Sequence, residues 1–271
     1  MKRTQTKRLI EAALMVALAT VLSMVKVIEM PYGGSVTLAS MLPILVLSYR
    51  HGILTGLGGG VAYAAIQQLL GLNSLSYVTG WQSVIAVILL DYILAFTVVG
   101  LGGILRRLIK SQPHALAVGA ILVSFLRFLC HFIAGCTVWA GLSIPDSAAA
   151  LYSLGYNATY MLPEMIILAA VAYYVGSLID FTKETPTRAA NSLAQGEHTM
   201  AYSIIGLLCL GAVIADSVMI FPYLQNADTG EFDFSGLGEA SWLVIGIVTA
   251  VAALAAIGLY VYTRLNKKSE Q

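Results

Sequence analysis

The chain has 271 residues, of which 58% are hydrophobic and only 11% carry a charge. Soluble globular domains carry a charge on about a quarter of their residues, so this composition excludes that class and predicts an integral membrane protein. The net charge of +1 gives no indication of nucleic-acid binding.

Apolar windows of about 20 residues mark the expected membrane spans. Eight windows follow one another, at residues 9–27, 36–49, 52–71, 82–105, 115–141, 157–180, 202–224 and 240–263. The first follows a basic segment resembling that of a signal peptide, but it is long enough to span and lacks a cleavage site followed by a soluble domain. The second, around Pro43, is too short to cross a bilayer. We expect it to begin below the outer surface, with the preceding PYGGS segment folded into the protein. The sequence thus predicts an all-α membrane protein with eight transmembrane helices.

The lysines and arginines are unevenly distributed among the predicted loops. With a cytoplasmic N-terminus, 13 of the 15 basic residues fall on the cytoplasmic side, and only Lys26 and Arg127 do not. Cytoplasmic loops are enriched in basic residues, so both termini are predicted to be cytoplasmic. Segment 183–200 is interpreted as a cytoplasmic linker between a six-helix core, residues 1–182, and an appended two-helix transmembrane hairpin, residues 201–271.

Small residues recur every four positions in the third window, at Gly52, Gly56, Gly60 and Ala64. On a helix they would form one face that allows a neighbouring backbone to approach closely, a common mode of packing in lipid. We favour a contact within the protein's own bundle over one with another chain.

The segment RFLCHFIAGCTVWAG, residues 127–141, places polar groups inside the fifth window. Positions four apart form a slowly drifting stripe on a helix, here Arg127, His131, Gly135 and Trp139. Ionisable side chains are costly at bilayer depth, so this stripe should face a cavity or another helix. It is therefore a functional-site hypothesis.

Asp91 lies within the fourth window, where an ionised carboxylate needs a partner. The residues alone leave two interpretations open: an ion pair with Arg127, or a counter-ion and hydrogen-bond acceptor for a bound ligand. His131 is the only histidine expected inside the bilayer, and no second histidine or cysteine lies at a metal-ligand spacing. We therefore expect no metal site.

Aromatic residues collect near the predicted outer side. They are Tyr32, Tyr77, Trp81, Trp139, Tyr152, Tyr156 and Tyr160. An interfacial aromatic belt would account for many of them, yet the spacing of His131 and Trp139 lets both border one pocket. Tyr152 and Asn157 converge only if a helix begins between them, which Gly155 favours. A pocket of this kind suits a flat, nitrogen-rich, cationic ligand, because aromatic faces attract cations.

Several stretches resemble the thiamine-binding ThiT family, the substrate-binding S components of energy-coupling factor (ECF) transporters. They are EAALMVALA, SYRHGILTGLGGG, DYILAF, RFLCHFIAG with VWAG, and YNATYM. The resemblance implies that residues 1–182 form a six-helix core that binds thiamine. It implies ligand-binding roles for Tyr32, Trp81, Tyr92, His131, Trp139, Tyr152 and Asn157. Asp91 stands where the family usually has glutamate, and the last two windows have no counterpart in the family core.

The same resemblance implies partners. Transport in the family is driven by a scaffold subunit and two ATPase subunits, and this chain has no GxxxxGK[ST] phosphate loop of its own. Ala13 and Ala17 match the small residues by which the family docks on the scaffold, although Val21 interrupts their row. We expect no cofactor, no enzymatic activity, and a location in the cell membrane in contact with lipid.

Other functions remain open from the residues alone. An intramembrane enzyme would use Asp91, His131 and Glu164 for acid–base chemistry on a lipid or isoprenoid substrate, although no nucleophile accompanies them. A proton-coupled secondary transporter is a further interpretation. For the S component itself, thiamine, a phosphorylated form and a pyrimidine precursor are alternative ligands.

Overall fold

The computed structural model describes residues 2–78, 80–138, 149–189, 199–224, 226 and 232–269. It divides into two compact units, Met1–Ala172 and Tyr173–Gln271. The helices are α1 (Lys2–Met24), α2 (Leu42–His51), α3 (Ile53–Leu70), α4 (Trp81–Val87), α5 (Ala95–Thr97), α6 (Gln112–Thr137), α7 (Ala149–Leu178), α8 (Thr199–Ile220) and α9 (Trp242–Ser269). Two short antiparallel pairs complete the described elements: β1 (Lys26–Glu29) with β2 (Ser35–Thr37), and β3 (Ile179–Asp180) with β4 (Thr187–Arg188).

Among the described residues, six helical stretches are long and apolar enough to cross a membrane. They are Ile53–Leu70, Trp81–Arg107, Gln112–Thr137, Ala149–Leu178, Ala201–Leu224 and Trp242–Thr263. The protein is thus an all-α, multi-pass membrane protein. Helix α1 has 23 residues but includes Lys7, Arg8 and Glu11, and α2 has only 10 residues. The count of eight spans and the orientation in the membrane stay predictions.

The second apolar window is only partly helical. Its first residues form β2, and α2 begins at Leu42 with Pro43 in its first turn, where the missing N–H of proline costs no helical hydrogen bond. The PYGGS segment forms the turn between β1 and β2, and Gly34 donates its N–H to the Tyr156 hydroxyl of α7 at 3.2 Å. The prediction that this segment folds into the protein is confirmed.

The stretch Trp81–Arg107 is not a uniform α-helix. Between α4 and α5, residues Ile88–Leu94 form a π-helix that contains Asp91 and Tyr92, and a 3-10 segment follows at Val98–Leu101. π-Turns are rare and are often found at functional sites. This conformation therefore marks the part of the chain where the candidate site should be sought.

The glycine row of the third window packs inside the first unit. A Cβ atom added to Gly56 would overlap the carbonyl oxygen of Gly100, and one added to Gly60 would lie 2.8 Å from that of Thr97. The prediction of close packing within the bundle is confirmed at these two glycines. It is wrong for Gly52, which ends α2 with a φ of 88° and has open space around its Cα.

The second unit contains α8 and α9, which pack against each other. Between them, the Thr249 hydroxyl donates to Asp216 at 2.7 Å. The division between the two units falls within α7, at Ala172 and Tyr173, and residues 190–198 of the predicted linker lie outside the described residues. The domain boundaries drawn from the sequence stay predictions.

The contact at Gly56 gives a stability test. We expect Gly56→Ala to lower the free energy of unfolding by about 1–3 kcal/mol, because the new methyl group overlaps the Gly100 backbone. The matched control is Gly58→Ala in the same helix, where a Cβ would meet nothing within 4 Å. It should be neutral or stabilising by up to about 1 kcal/mol, because alanine is the better helix former. Thermal unfolding in detergent measures both, and equal effects of the two substitutions would contradict the packing described.

Candidate functional site

The centre of the candidate site is a hydrogen-bonded pair between the π-helix and α6. His131 Nδ1 lies 2.8 Å from Asp91 Oδ1, and the two side chains are 12% and 13% exposed. A carboxylate only accepts hydrogen bonds, so Nδ1 carries a proton. His131 Nε2 on the other side of the ring is buried, and within the described part of the chain it has no hydrogen-bond partner. This nitrogen can accept a hydrogen bond when the ring is neutral and donate one when it is charged.

The pairing of Asp91 with Arg127, one of the two interpretations left open by the sequence, is wrong. Arg127 instead forms a buried ion pair with Glu164 of α7; the two residues are 7% and 2% exposed. The guanidinium also lies over the ring of Phe96, 4.7 Å from its centroid. Arg127 precedes His131 by one helical turn, so it reaches a different layer of the bundle from the one that Asp91 occupies.

Tyr92 supplies an aromatic ring beside Asp91. Its hydroxyl lies 2.7 Å from Ser74 Oγ and donates to the Gly71 carbonyl at 3.1 Å. Its ring stacks on Phe96 at a centroid distance of 6.4 Å. Because protein groups already occupy the hydroxyl, Tyr92 offers a ligand its ring more readily than its oxygen.

Asn157 is placed differently from the expectation. Helix α7 begins by Ala149 and continues through Gly155, so the prediction that a helix starts between Tyr152 and Asn157 is wrong. On this continuous helix the two side chains diverge by about 140°. Tyr152 packs against the apolar cluster that contains Val87 and Ala134. The Asn157 carboxamide instead donates to the Ser153 carbonyl at 2.9 Å and accepts from Tyr160 at 2.8 Å. The Asn157 carboxamide therefore serves the internal structure of α7.

The remaining aromatic candidates differ in their surroundings. Tyr32 lies in the turn after β1, with a φ of 63°, and meets the ring of Tyr77 edge-on at 5.3 Å. Trp81 begins α4 and is 69% exposed. Trp139 lies outside the described residues. Tyr156 was not expected as a site residue, yet its hydroxyl holds the Gly34 amide and so joins the turn to α7.

Gln68 of α3 is a residue that sequence reasoning missed. Its Nε2 and Oε1 are both buried, and neither has a hydrogen-bond partner among the residues described. Gly71, which follows α3, packs against Tyr92 of the π-helix, and Gln68 lies within one helical turn before it. A polar side chain within the apolar run AAIQQLL was the available signal.

Ala13 and Ala17 lie on α1, and both are exposed. Large apolar side chains around them, including Leu14, Leu18 and Val21, are also exposed. The two alanines therefore belong to an apolar face that is open to lipid or to another membrane protein. In the described ranges, no group of three or more histidine, cysteine or acidic side chains could hold a metal ion.

Known proteins resemble the first unit. The family described as "Thiamine transporter protein" matches residues 9–180. The chain is 33% identical over 178 residues to "Thiamine transporter ThiT" of Bacillus subtilis, a match that covers 62% of this chain and 88% of that protein. It is 28% identical over 166 residues to "Thiamine transporter ThiT" of Lacticaseibacillus paracasei, covering 55% of this chain and 76% of that protein.

A solved structure has the same fold. The structure of ThiT from Listeria monocytogenes superposes with a TM-score of 0.53 and 20% identity, over 64% of this chain and 94% of that one. Helices α8 and α9 lie beyond the residues that the family matches. Because the match at residues 9–180 spans well over half of the chain, the chain belongs to the thiamine transporter protein family.

Proposed function

We propose that this protein binds thiamine within the membrane and serves in its uptake. The two curated relatives are named as thiamine transporters, and the chain spans most of the length of each. The observation that carries the proposal is the buried Nε2 of His131, which has no partner in the described ranges while Asp91 holds the other ring nitrogen. The role is transport and not catalysis.

The chemistry of the site fits such a ligand. Thiamine joins a cationic thiazolium ring to an aminopyrimidine, so it needs negative charge, aromatic faces and hydrogen-bonding groups. Asp91 provides the negative charge, and a cation over an aromatic face such as that of Tyr92 gains about 0.5 to 2 kcal/mol. The imidazole of His131 provides a hydrogen-bonding nitrogen. Trp81, Tyr32, Tyr152 and Trp139 complete the proposed ligand-binding set, and Asn157 supports it from within α7.

We further propose that the protein works as an S component. It would deliver thiamine inward with a scaffold subunit and two ATPase subunits, because its sequence lacks a phosphate-binding loop with which to use ATP. The apolar face of α1 that contains Ala13 and Ala17 is the proposed surface for the scaffold. Small residues there would let a partner helix approach closely.

A binding titration tests the proposal. Purified protein in detergent should bind thiamine saturably, and parallel titrations with thiamine phosphates and with the isolated aminopyrimidine would identify the preferred form. Absence of saturable binding to all of these compounds would overturn the proposed function. Uptake into vesicles should require the ATPase subunits, and uptake without them would favour a secondary transporter.

The charge of Asp91 gives the first mutational prediction. Asp91→Asn keeps an oxygen that accepts from His131 Nδ1 but removes the negative charge. We expect the Kd for thiamine to rise by about 10- to 100-fold, the range that corresponds to losing an interaction with a charged group. Isothermal titration calorimetry measures the change.

The matched control is Asp216→Asn, which neutralises a carboxylate in a membrane helix of the second unit. Its affinity for thiamine should stay within about twofold of that of the unmodified protein. Equal losses in the two variants would show that Asp91 has no specific role in binding.

Two adjacent glutamines give the second prediction. Gln67 Nε2 donates to Ser23 Oγ at 2.8 Å, whereas Gln68 has no such bond among the described residues. A carboxamide can pair with adjacent ring nitrogen and amino groups of a base, so we propose that Gln68 contacts the aminopyrimidine. Gln68→Leu should lower affinity by about tenfold or more without lowering stability, since no protein hydrogen bond is lost.

Gln67→Leu should behave in the opposite way. It removes the bond to Ser23 and should lower the unfolding temperature, with affinity unchanged. Calorimetry and thermal unfolding, applied to both variants, separate the two roles. A Gln68→Leu protein that is destabilised but binds thiamine normally would contradict the assignment.

A further inference from the structure

The carboxylate of Glu164 is buried and is contacted from two sides. Arg127 of α6 donates to one oxygen, and the Thr37 hydroxyl at the end of β2 donates to the other at 2.6 Å. All three residues are buried, with exposures of 2%, 7% and 5% for Glu164, Arg127 and Thr37. A single carboxylate thus joins α6, α7 and β2.

The Thr37 contact leads to the β1–β2 hairpin. The hairpin has a second attachment to α7, where Gly34 donates to the Tyr156 hydroxyl and leaves only 2.8 Å between that oxygen and a Cβ added at Gly34. Between β1 and β2 lies Tyr32, whose φ of 63° is uncommon for a residue other than glycine. Such a conformation persists only where surrounding contacts hold it. The hydrogen bonds between the hairpin and α7 therefore help to determine the position of the Tyr32 ring.

The Arg127 contact leads to the other side of the site. Arg127 lies one turn before His131 on α6, and its guanidinium covers the ring of Phe96, which stacks on Tyr92. A shift of the guanidinium would therefore affect the His131 imidazole through α6 and the Tyr92 ring through Phe96.

Stability alone does not explain this arrangement. Desolvating two charges costs about as much as their attraction returns, and apolar residues of the same size are often at least as stabilising. An ion pair that has a third hydrogen-bonded partner also defines the geometry of the three elements that it joins.

We propose that Glu164 is a positioning residue of the thiamine site. Through Thr37 it fixes the hairpin that bears Tyr32, and through Arg127 it fixes the layer of α6 and Phe96 that supports His131 and Tyr92. This inference rests on the proposed function, and it assigns to Glu164 a role without contact with the ligand.

Thr37 offers the cleanest test, because Glu164→Gln leaves Arg127 as an unpaired buried charge and risks unfolding the protein. Thr37→Val keeps the shape of the side chain and removes the hydroxyl, whereas Thr37→Ser keeps the hydroxyl. We expect Thr37→Val to raise the Kd for thiamine by about tenfold, because it removes the hydrogen bonds of the hydroxyl with Glu164 and with Ser40. Thr37→Ser should restore affinity to within about threefold.

A positioning role also predicts that the effects of substitutions at Thr37 and Tyr32 are coupled. If Thr37 acts through Tyr32, Thr37→Val should have little effect on affinity in a Tyr32→Ala background, as a double-mutant cycle would measure. A loss of affinity of the same size in both backgrounds would indicate a general structural role and overturn the inference. The control is Thr249→Val, which removes a hydroxyl bonded to Asp216 in the second unit and should leave affinity unchanged.

Hydrogen exchange without ligand separates this inference from the proposed function. Met30 donates its N–H to the Gly34 carbonyl at 2.7 Å, and this amide and that of Gly34 should exchange faster in Thr37→Val while those of α6 do not. Unchanged exchange and affinity in Thr37→Val would overturn the inference and leave the proposed function standing. If the unmodified protein fails to bind thiamine, the proposed function falls, and with it the role of Glu164 in a thiamine site.

Discussion

Lipid offers no hydrogen bonds, so each charged side chain at membrane depth must be paired by protein or by ligand. Two pairs meet this requirement on neighbouring turns of α6: Arg127 with Glu164, and His131 with Asp91. Both members of the first pair are buried, with exposures of 7% for Arg127 and 2% for Glu164. The second keeps a ring nitrogen that no described residue uses. Because Arg127 pairs with Glu164 of α7 and Asp91 pairs with His131, the two ion pairs occupy different layers along α6.

Most of the helices could be predicted from the sequence, because a membrane helix is recognised by the length and apolar composition of a continuous run of residues. The windows at 52–71, 82–105 and 202–224 agree closely with the observed spans. The exceptions have physical causes. The β1–β2 hairpin lies mostly in the short segment between the first two windows, and its strands of four and three residues are too short to show an alternating pattern. A π-helix has the same apolar composition as an α-helix. Helix α7 begins earlier than the sequence predicts, because Gly155 favours a helix start there but lies inside the helix Ala149–Leu178.

The site was harder to predict from the sequence. Which side chains pair depends on the depth and the rotation of each helix in the bundle, and residue spacing determines neither. The sequence identifies Asp91 and His131 as candidates, but it leaves open whether Asp91 pairs with Arg127 or serves a ligand, and it does not indicate the pairing of Asp91 with His131. Asn157 has a side chain suited to ligand binding, but its carboxamide forms hydrogen bonds within α7 instead. Gln67 and Gln68 are chemically identical neighbours that point about 100° apart on α3, and among the described residues only Gln67 has a hydrogen-bond partner.

The π-helix at Ile88–Leu94 also bears on how this chain is compared with its relatives. A π-turn accommodates one more residue than an α-turn while the flanking helix keeps its packing. A relative with a regular α-helix here would be one residue shorter over the same height. Correct alignment would then need a single-residue gap inside a helix, a place where gaps are normally penalised. Where that gap is drawn decides which residue of the relative is equated with Asp91, so correspondences in this stretch should be assigned from superposed backbones.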